Sequence, residues 1–189
     1  DDIDLATNLS PQQVCDALEK DNIDYHKTGF EHGTITAVIN NYKFEITSLR
    51  EDVLTDGRHA KVQFSHNWKK DACRRDFSIN SIYSDVNGNL FDPYNGKQDL
   101  KNGLVKFIGD PEKRIKEDYL RILRYLRFYL KYSNHKHDPE TVKAIRKNLG
   151  GISNLSKERL LDELNKYIKY NVLTKLSKDQ LSNELFEII

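Results

Sequence analysis

The residues best suited to chemistry stand at the start of the chain, in Asp1-Asp2-Ile3-Asp4-Leu5-Ala6-Thr7. Side chains alternate faces along a strand, so Asp2 and Asp4 point one way while Ile3 and Leu5 point the other. Two carboxylates on one rigid face repel unless a positive charge sits between them. A hard divalent cation such as Mg²⁺ answers that need, since it prefers carboxylate oxygens and leaves room for substrate phosphates. A polar strand edge or an acidic cap yields the same D-x-D spacing. Lys43-Phe44-Glu45-Ile46-Thr47 alternates in the same way and sets Glu45 opposite Phe44 and Ile46. If this strand lies beside the first, Glu45 is a third carboxylate for the same metal site; otherwise it is a solvated strand residue.

Two other stretches suit a phosphorylated, base-bearing ligand. In Arg74-Arg75-Asp76-Phe77-Ser78-Ile79-Asn80, arginines can grip phosphate and the Asp can accept from a ribose hydroxyl, although a structural ion pair needs the same residues. In Glu117-Asp118-Tyr119-Leu120-Arg121-Ile122-Leu123-Arg124, helical spacing puts Asp118 and Arg121 on one face, and Glu117, Arg121 and Arg124 likewise. Such pairs are commonly helix salt bridges. Facing a pocket, Asp118 and Arg121 become a fixed acceptor beside a fixed donor. That order matches the edges of cytosine and adenine and rejects those of uracil and guanine. His135-x-His137-Asp138 precedes a proline-initiated helix, which favours a turn with Asp138 as cap over a metal site.

The elements that must position these groups form two regions. Strands are expected at 2–6, 35–39 and 43–49, the last two a hairpin about Asn40-Asn41, and a helix runs from Ser10-Pro11 to Lys20. A second hairpin, 81–85 with 90–92, turns at Asn87-Gly88. Residues 51–71, with Asp56-Gly57-Arg58-His59 and the single tryptophan Trp68, show little periodicity and read as a long polar loop. From Pro111 the pattern becomes helical, at 111–132, 139–148, 157–170 and 174–187, with Gly150-Gly151 as a break. The fold class is therefore α+β: a small mixed sheet followed by an all-helical part.

Composition narrows the partners. The chain of 189 residues is 38% hydrophobic and 31% charged, and no apolar run reaches membrane-spanning length. Two cysteines without metal-site spacing indicate a reducing compartment. With no methionine and an apolar final run, both ends read as cut from a longer protein. The net charge of +1 conceals 12 acidic against 5 basic residues over 1–60, and 11 basic against 5 acidic over 111–150. An acidic end suits a metal ion; a basic helical stretch suits polyphosphate or nucleic acid, or is an ordinary solvated face.

Taken in order, D-I-D-L-A-T, H-G-T-I-T, F-E-I-T-S-L-R, D-G-R-H-A, R-R-D-F-S-I-N, F-D-P-Y-N-G-K-Q-D-L and E-D-Y-L-R-I-L-R-Y-L-R-F resemble the class II tRNA nucleotidyltransferases of the DNA polymerase β superfamily. The likeness runs on to Ser156-Lys157-Glu158-Arg159. It implies a nucleotidyltransferase head at 1–109, a helical neck with the base template at 110–150, and the start of a helical body at 151–189. It implies addition of C, C and A to tRNA lacking its 3′ CCA, from CTP and ATP, by two-metal nucleotidyl transfer with Mg²⁺. Asp2 and Asp4 would be the metal-binding catalytic carboxylates and Glu45 a third. Arg75, Asp76 and Asn80 would serve nucleotide binding, with Glu117, Asp118 and Arg121 as the template and Arg124 at the triphosphate. Asp56, Gly57 and Arg58 would belong to a flexible loop that helps switch from C to A. The family's Gly-Gly turn and Arg-Asp pair upstream of D-x-D do not occur here. Bacterial poly(A) polymerase shares the head motifs but continues E-D-P where this chain has Glu117-Asp118-Tyr119; division into CC- and A-adding enzymes is a further alternative, and a non-catalytic RNA-binding fragment is the rival of another class. A cytoplasmic location is expected, or a mitochondrial one for an organellar enzyme, with no membrane partner.

Overall fold

A computed structural model describes residues 3–56 and 59–187. The chain divides into two compact units, Asp1–Arg74 and Arg75–Ile189.

In the first unit, β1 (Asp4–Thr7), β2 (Asp24–Gly29), β3 (Thr34–Ile39) and β4 (Tyr42–Ser48) form a mixed sheet in the order β1-β4-β3-β2. The β1–β4 pair is parallel and the other two are antiparallel. The predicted β3–β4 hairpin is present. Asn40 and Asn41 both hold positive φ, 52° and 67°, which the tight turn requires and asparagine tolerates better than most residues. One sheet face is covered by α1 (Pro11–Lys20). Ser10 caps this helix, accepting from Gln13 N–H while the Gln13 side chain accepts from Ser10 N–H at 2.8 Å. Val14, Cys15 and Leu18 pack on Ile35, Ala37 and Ile46. Burying each large apolar side chain of this kind contributes roughly 1.5–3 kcal/mol, and it is this one-sided burial that sends Glu45 to the opposite face.

Residues 51–71 are more ordered than their composition suggests. β5 (Arg50–Asp56) and β6 (His59–Phe64) pair antiparallel, and α2 (Trp68–Arg74) follows. Buried Asp71 ties the helix to the hairpin by accepting from Arg50 N–H at 3.1 Å and from Arg74 Nε at 3.0 Å. The expectation of an irregular loop is thus corrected. The alternation His59-Ala60-Lys61-Val62-Gln63-Phe64 is a strand signal that this expectation missed, whereas β5 has no regular alternation and shifts register between Asp52 and Leu54. Asp71 supplies an anchor that periodicity does not register. Also unforeseen were β2 and α3 (Gly96–Lys101).

The second unit holds the short hairpin β7 (Tyr83–Ser84) and β8 (Leu90–Phe91), then α4 (Pro111–Glu117), α5 (Leu120–Tyr132), α6 (Pro139–Asn148), α7 (Lys157–Lys169), α8 (Leu173–Leu176) and α9 (Gln180–Phe186). Its core centres on Phe77, Phe107, Ile122, Tyr125, Leu126, Ile145, Tyr167 and Leu185. The single helix expected over 111–132 is two helices. Asp118 adopts an extended backbone, φ −159° and ψ 109°, and its Oδ1 accepts from Leu120 N–H at 3.1 Å to start α5. The short acidic side chain competes with the helix for backbone donors, and here the local bond wins. Residues 174–187 are likewise split, with Asp179 capping α9 through Ser182 N–H at 2.8 Å. Gly151, in the predicted break, lies where a Cβ would overlap the Tyr119 ring, so the position excludes larger residues. Among the described residues no helix is long and apolar enough to cross a membrane.

Candidate functional site

The parallel register of β1 on β4 sets Asp4 directly beside Glu45. Neighbours across paired strands share a face, so both carboxylates lie on the side away from α1. Both are exposed, and neither has a hydrogen bond or ion pair among the described residues. The row continues across the sheet to Thr36, which pairs with Glu45, and to His26, which pairs with Thr36. Thr36 is buried and shares a 2.8 Å hydrogen bond with Thr28. Neighbouring strands stand about 4.8 Å apart, close enough for two carboxylates to share one cation. Adjacent oxygen donors on a rigid face, left without a protein partner, fit a hard divalent ion. Asp2 lies outside the described residues, and among those described no third His, Cys, Asp or Glu joins the pair as a metal-binding group.

The nucleotide-binding candidates fall in the second unit, where they are tightly interlocked. Asp76, buried, accepts from Phe77 N–H and Asn80 Nδ2 at 3.0 Å each and from Arg124 Nε at 2.5 Å. Burial pushes its carboxyl up, but the Arg124 charge and these hydrogen bonds outweigh that and hold it below the ordinary range. Burial likewise depresses Arg124, and Asp76 more than restores it. The Arg75 carbonyl accepts from Arg114 Nη2 at 2.6 Å. Glu117 Oε2 accepts from both Arg114 and Arg121 at 2.5 Å, and Arg121 also donates to the Arg114 carbonyl at 2.8 Å. Asp118 Oδ2 accepts from Arg159 Nη2 at 2.7 Å.

One expectation changes accordingly, and Arg124 gains a partner that its sequence neighbourhood did not show. Asp118 and Arg121 do not pair on one helix face, because Asp118 lies at the break between α4 and α5 and bonds to α7. Arg124 is an ion-pair partner of Asp76, 48 residues earlier in the chain. Sequence reasoning overlooked Arg114 and the contact made by Arg159. The ladder Arg114, Glu117, Arg121, at spacings of three and four, was the available signal for the first. A contact across 41 residues leaves no periodic trace. Gly57 and Arg58 lie outside the described residues, and Asp56 is known only as the strand position paired with His59.

The histidine pair behaves as a turn. His137 shares hydrogen bonds with Tyr125 Oη at 3.0 Å and Asp179 at 2.8 Å, while Asp138 caps α6 through Thr141 N–H. A cavity of about 470 Å³ bordered by Phe107, Tyr125, Tyr129 and His137 includes none of the nucleotide-binding candidates in its lining.

A mixed sheet with a helix on one face and carboxylates on the other, followed by helices, is a polymerase β-like nucleotidyltransferase fold. Residues 1–106 match the poly A polymerase head domain and residues 136–189 match a probable RNA and SrmB-binding site of polymerase A. The chain belongs to the poly A polymerase head-domain family. It is 49% identical over 173 residues to human mitochondrial CCA tRNA nucleotidyltransferase 1, covering 90% of this chain and 40% of that protein. It is 38% identical to the CCA-adding enzyme of Staphylococcus epidermidis over 90% of this chain and 42% of the relative. The Bacillus stearothermophilus CCA-adding enzyme, solved in complex with CTP, superposes with a TM-score of 0.76 at 29% identity, over 88% of this chain and 39% of that one. The likeness to the tRNA nucleotidyltransferases read from the seven motifs is borne out, and the chain spans about 40% of the length of these relatives.

Proposed function

We propose that the protein adds C, C and A to tRNA lacking its 3′ CCA, using CTP and ATP. The observation that carries this reading is the register that places Asp4 beside Glu45 on the polar face of a sheet matched to the polymerase head. Names of the relatives at 35–49% identity support the choice of tRNA and of these two nucleotides. The RNA 3′-hydroxyl attacks the α-phosphate, the bond to the β-phosphate breaks, and pyrophosphate leaves.

Asp2, Asp4 and Glu45 would hold Mg²⁺, which when bound supplies the positive charge that eases hydroxyl deprotonation and stabilises the leaving oxygens. In the second unit Arg75, Asp76, Asn80 and Arg124 would bind the sugar and phosphates. Release of Arg124 from Asp76 would free a cation for triphosphate and an acceptor for ribose. Asp118 would accept from the exocyclic amine of C or A, and Arg121, aimed by Glu117 and Arg114, would donate to the adjacent ring nitrogen. These are positioning and electrostatic roles, as expected for phosphoryl transfer. Asp56, Gly57 and Arg58 would take part in the change from C to A addition. On this reading the head, neck and body occupy 1–109, 110–150 and 151–189. The names of the vertebrate relatives favour a mitochondrial over a cytoplasmic location.

Poly(A) polymerase is the second reading, and Tyr119 in place of proline counts against it. The test is incorporation of labelled CTP and ATP by the full-length protein into tRNA ending before its CCA. Three additions in the order C, C, A support the proposal. A run of A alone points to poly(A) synthesis, and no incorporation leaves an RNA-binding role.

A further inference from the structure

The two groups assigned to base reading are held by separate supports. Arg121 is aimed from its own neighbourhood, by Glu117 and the Arg114 carbonyl. Asp118 is aimed from a distance. Its extended backbone at the α4–α5 break carries the side chain to α7, where Oδ2 meets Arg159 Nη2 at 2.7 Å while Oδ1 is committed to Leu120 N–H. Arg159 is fixed in turn, because it lies in the first turn of α7, and Ser156 Oγ, the cap of that helix, accepts from its backbone N–H. Both partners are partly enclosed, with side-chain exposures of 28% and 22%, so solvent only partly screens the bond.

We propose that Arg159 is a positioning residue for nucleotide selection. By holding Asp118 Oδ2 on one lone pair, it fixes the direction in which the remaining acceptor sites of that carboxylate face a base edge. This inference rests on the reading of Asp118 and Arg121 as the base-reading pair. It gives the 136–189 segment, which matches a probable RNA-binding region, a direct part in choosing the nucleotide. A structural ion pair alone would affect stability and depress all four nucleotides equally; a positioning bond alters their ratio.

The experiment uses full-length protein and tRNA lacking its 3′ end, with kcat and KM measured for CTP, ATP, UTP and GTP. The expected result for Arg159→Gln is a fall of about tenfold in the CTP-over-UTP ratio of kcat/KM, the scale of one misdirected base-edge contact. Arg159→Lys should recover part of the ratio, since a point charge replaces one arm of a planar fork. Equilibrium binding of CTP and UTP by calorimetry should show the same narrowing without any turnover. If Arg159→Gln fails to fold, the lysine variant supplies the ratio. A ratio within twofold of wild type, or an equal loss for all four nucleotides, overturns the proposal. Wild-type protein that incorporates neither CTP nor ATP overturns the functional reading instead. Selection that shifts with Asp118→Ala but not with either Arg159 variant overturns this inference alone.

Discussion

On the open face of the four-stranded sheet, Asp4 and Glu45 stand exposed side by side, without a hydrogen bond or ion pair among the described residues. In the helical unit, Asp76, Glu117, Asp118, Arg121 and Arg124 are each bonded to a group of opposite charge. Unpaired neighbouring carboxylates cost the sheet some stability, and such an arrangement suits a cation. Paired arginines and carboxylates cost less and are directed in advance, which suits recognition of a ligand's shape and polarity. The first unit thus leaves neighbouring carboxylates unpaired, while the second holds its acids and bases in mutual pairs, and the proposed function assigns chemistry to the former and selection to the latter.

The largest expected effect tests the sheet side of that contrast. Asp4→Ala in the full-length protein should lower C and A addition alike, by about a thousandfold or more, with tRNA affinity nearly unchanged. Filter binding and primer extension on one preparation would read both quantities. Residual turnover near wild type would mean that the exposed pair is only a polar sheet edge. Asp4→Asn should also raise the stability of the folded state, since it removes a like-charge neighbour.

Next in size is a change confined to the helical unit. Arg127 and Glu163, 5% and 1% exposed, meet at 2.5 Å, and Lys166 Nζ reaches Glu163 at 3.4 Å. Removing Arg127 therefore leaves the buried carboxylate only that longer contact, while removing Glu163 takes the carboxylate from buried Arg127. Arg127→Ala or Glu163→Ala should cost about 3–5 kcal/mol, read from denaturant midpoints. The double substitution Arg127→Met with Glu163→Leu should restore most of that loss. A cost below about 1 kcal/mol for either single change would show that this buried pair contributes little to the stability of the helical unit.

Selection should respond on a smaller scale. Asp118→Ala or Arg121→Ala should admit UTP or GTP, with about 1–3 kcal/mol of discrimination lost per variant. Retained preference for C and A would reduce the pair to structural salt bridges. Acid titration probes the same unit. The folded-state carboxyl of Asp76 is held low, burial being outweighed by Arg124 and hydrogen bonds. Its contribution to stability is therefore present above the unfolded carboxylate value of about 3.9 and is lost as pH falls through the lower folded value. Replacing Asp76 with Asn should flatten that acid limb; an unchanged limb would assign the loss to other carboxylates.

How far the sequence discloses each region follows from the range of the interactions that build it. α1, β3, β4 and the Asn40-Asn41 turn were legible because alternation, capping and turn chemistry act within a few residues. The β5–β6 hairpin was missed: β6 alternates polar and apolar from His59 to Phe64, but β5 does not, its register shifts between Asp52 and Leu54, and its anchor, Asp71, acts through tertiary bonds. Asp118 and Arg121 stood out as candidates by type and spacing, but the helix break between them, which gives them separate partners, was hidden. Lys116, Glu117, Leu120 and Arg121 around Asp118 favour helix, and the partner that draws its side chain away lies 41 residues later. Likewise, the Arg124–Asp76 bond joins two motifs that each looked self-contained.

The smallest expected effect concerns the turn on which the sheet site depends. Glu45 lies beside Asp4 through the β1–β4 register, and the β3–β4 register sets it beside Thr36 on the open face; a slip of β4 by one residue would send Glu45 toward α1 and Phe44 to the open face. The β3–β4 register is set at Asn40-Asn41, where both residues adopt left-handed backbone geometry. Asparagine tolerates this conformation at some cost, and glycine adopts it freely. Asn41→Gly should therefore stabilise the folded state by a few tenths of a kcal/mol, with Glu45 still beside Asp4 and nucleotide addition unchanged. Asn41→Ala, with no such freedom and no polar side chain, should destabilise by about 1 kcal/mol. Denaturation of the two variants in parallel would measure the difference. If Asn41→Gly proves neutral in stability yet lowers turnover, the turn contributes more than register, and the sheet site depends on the turn's own side chains.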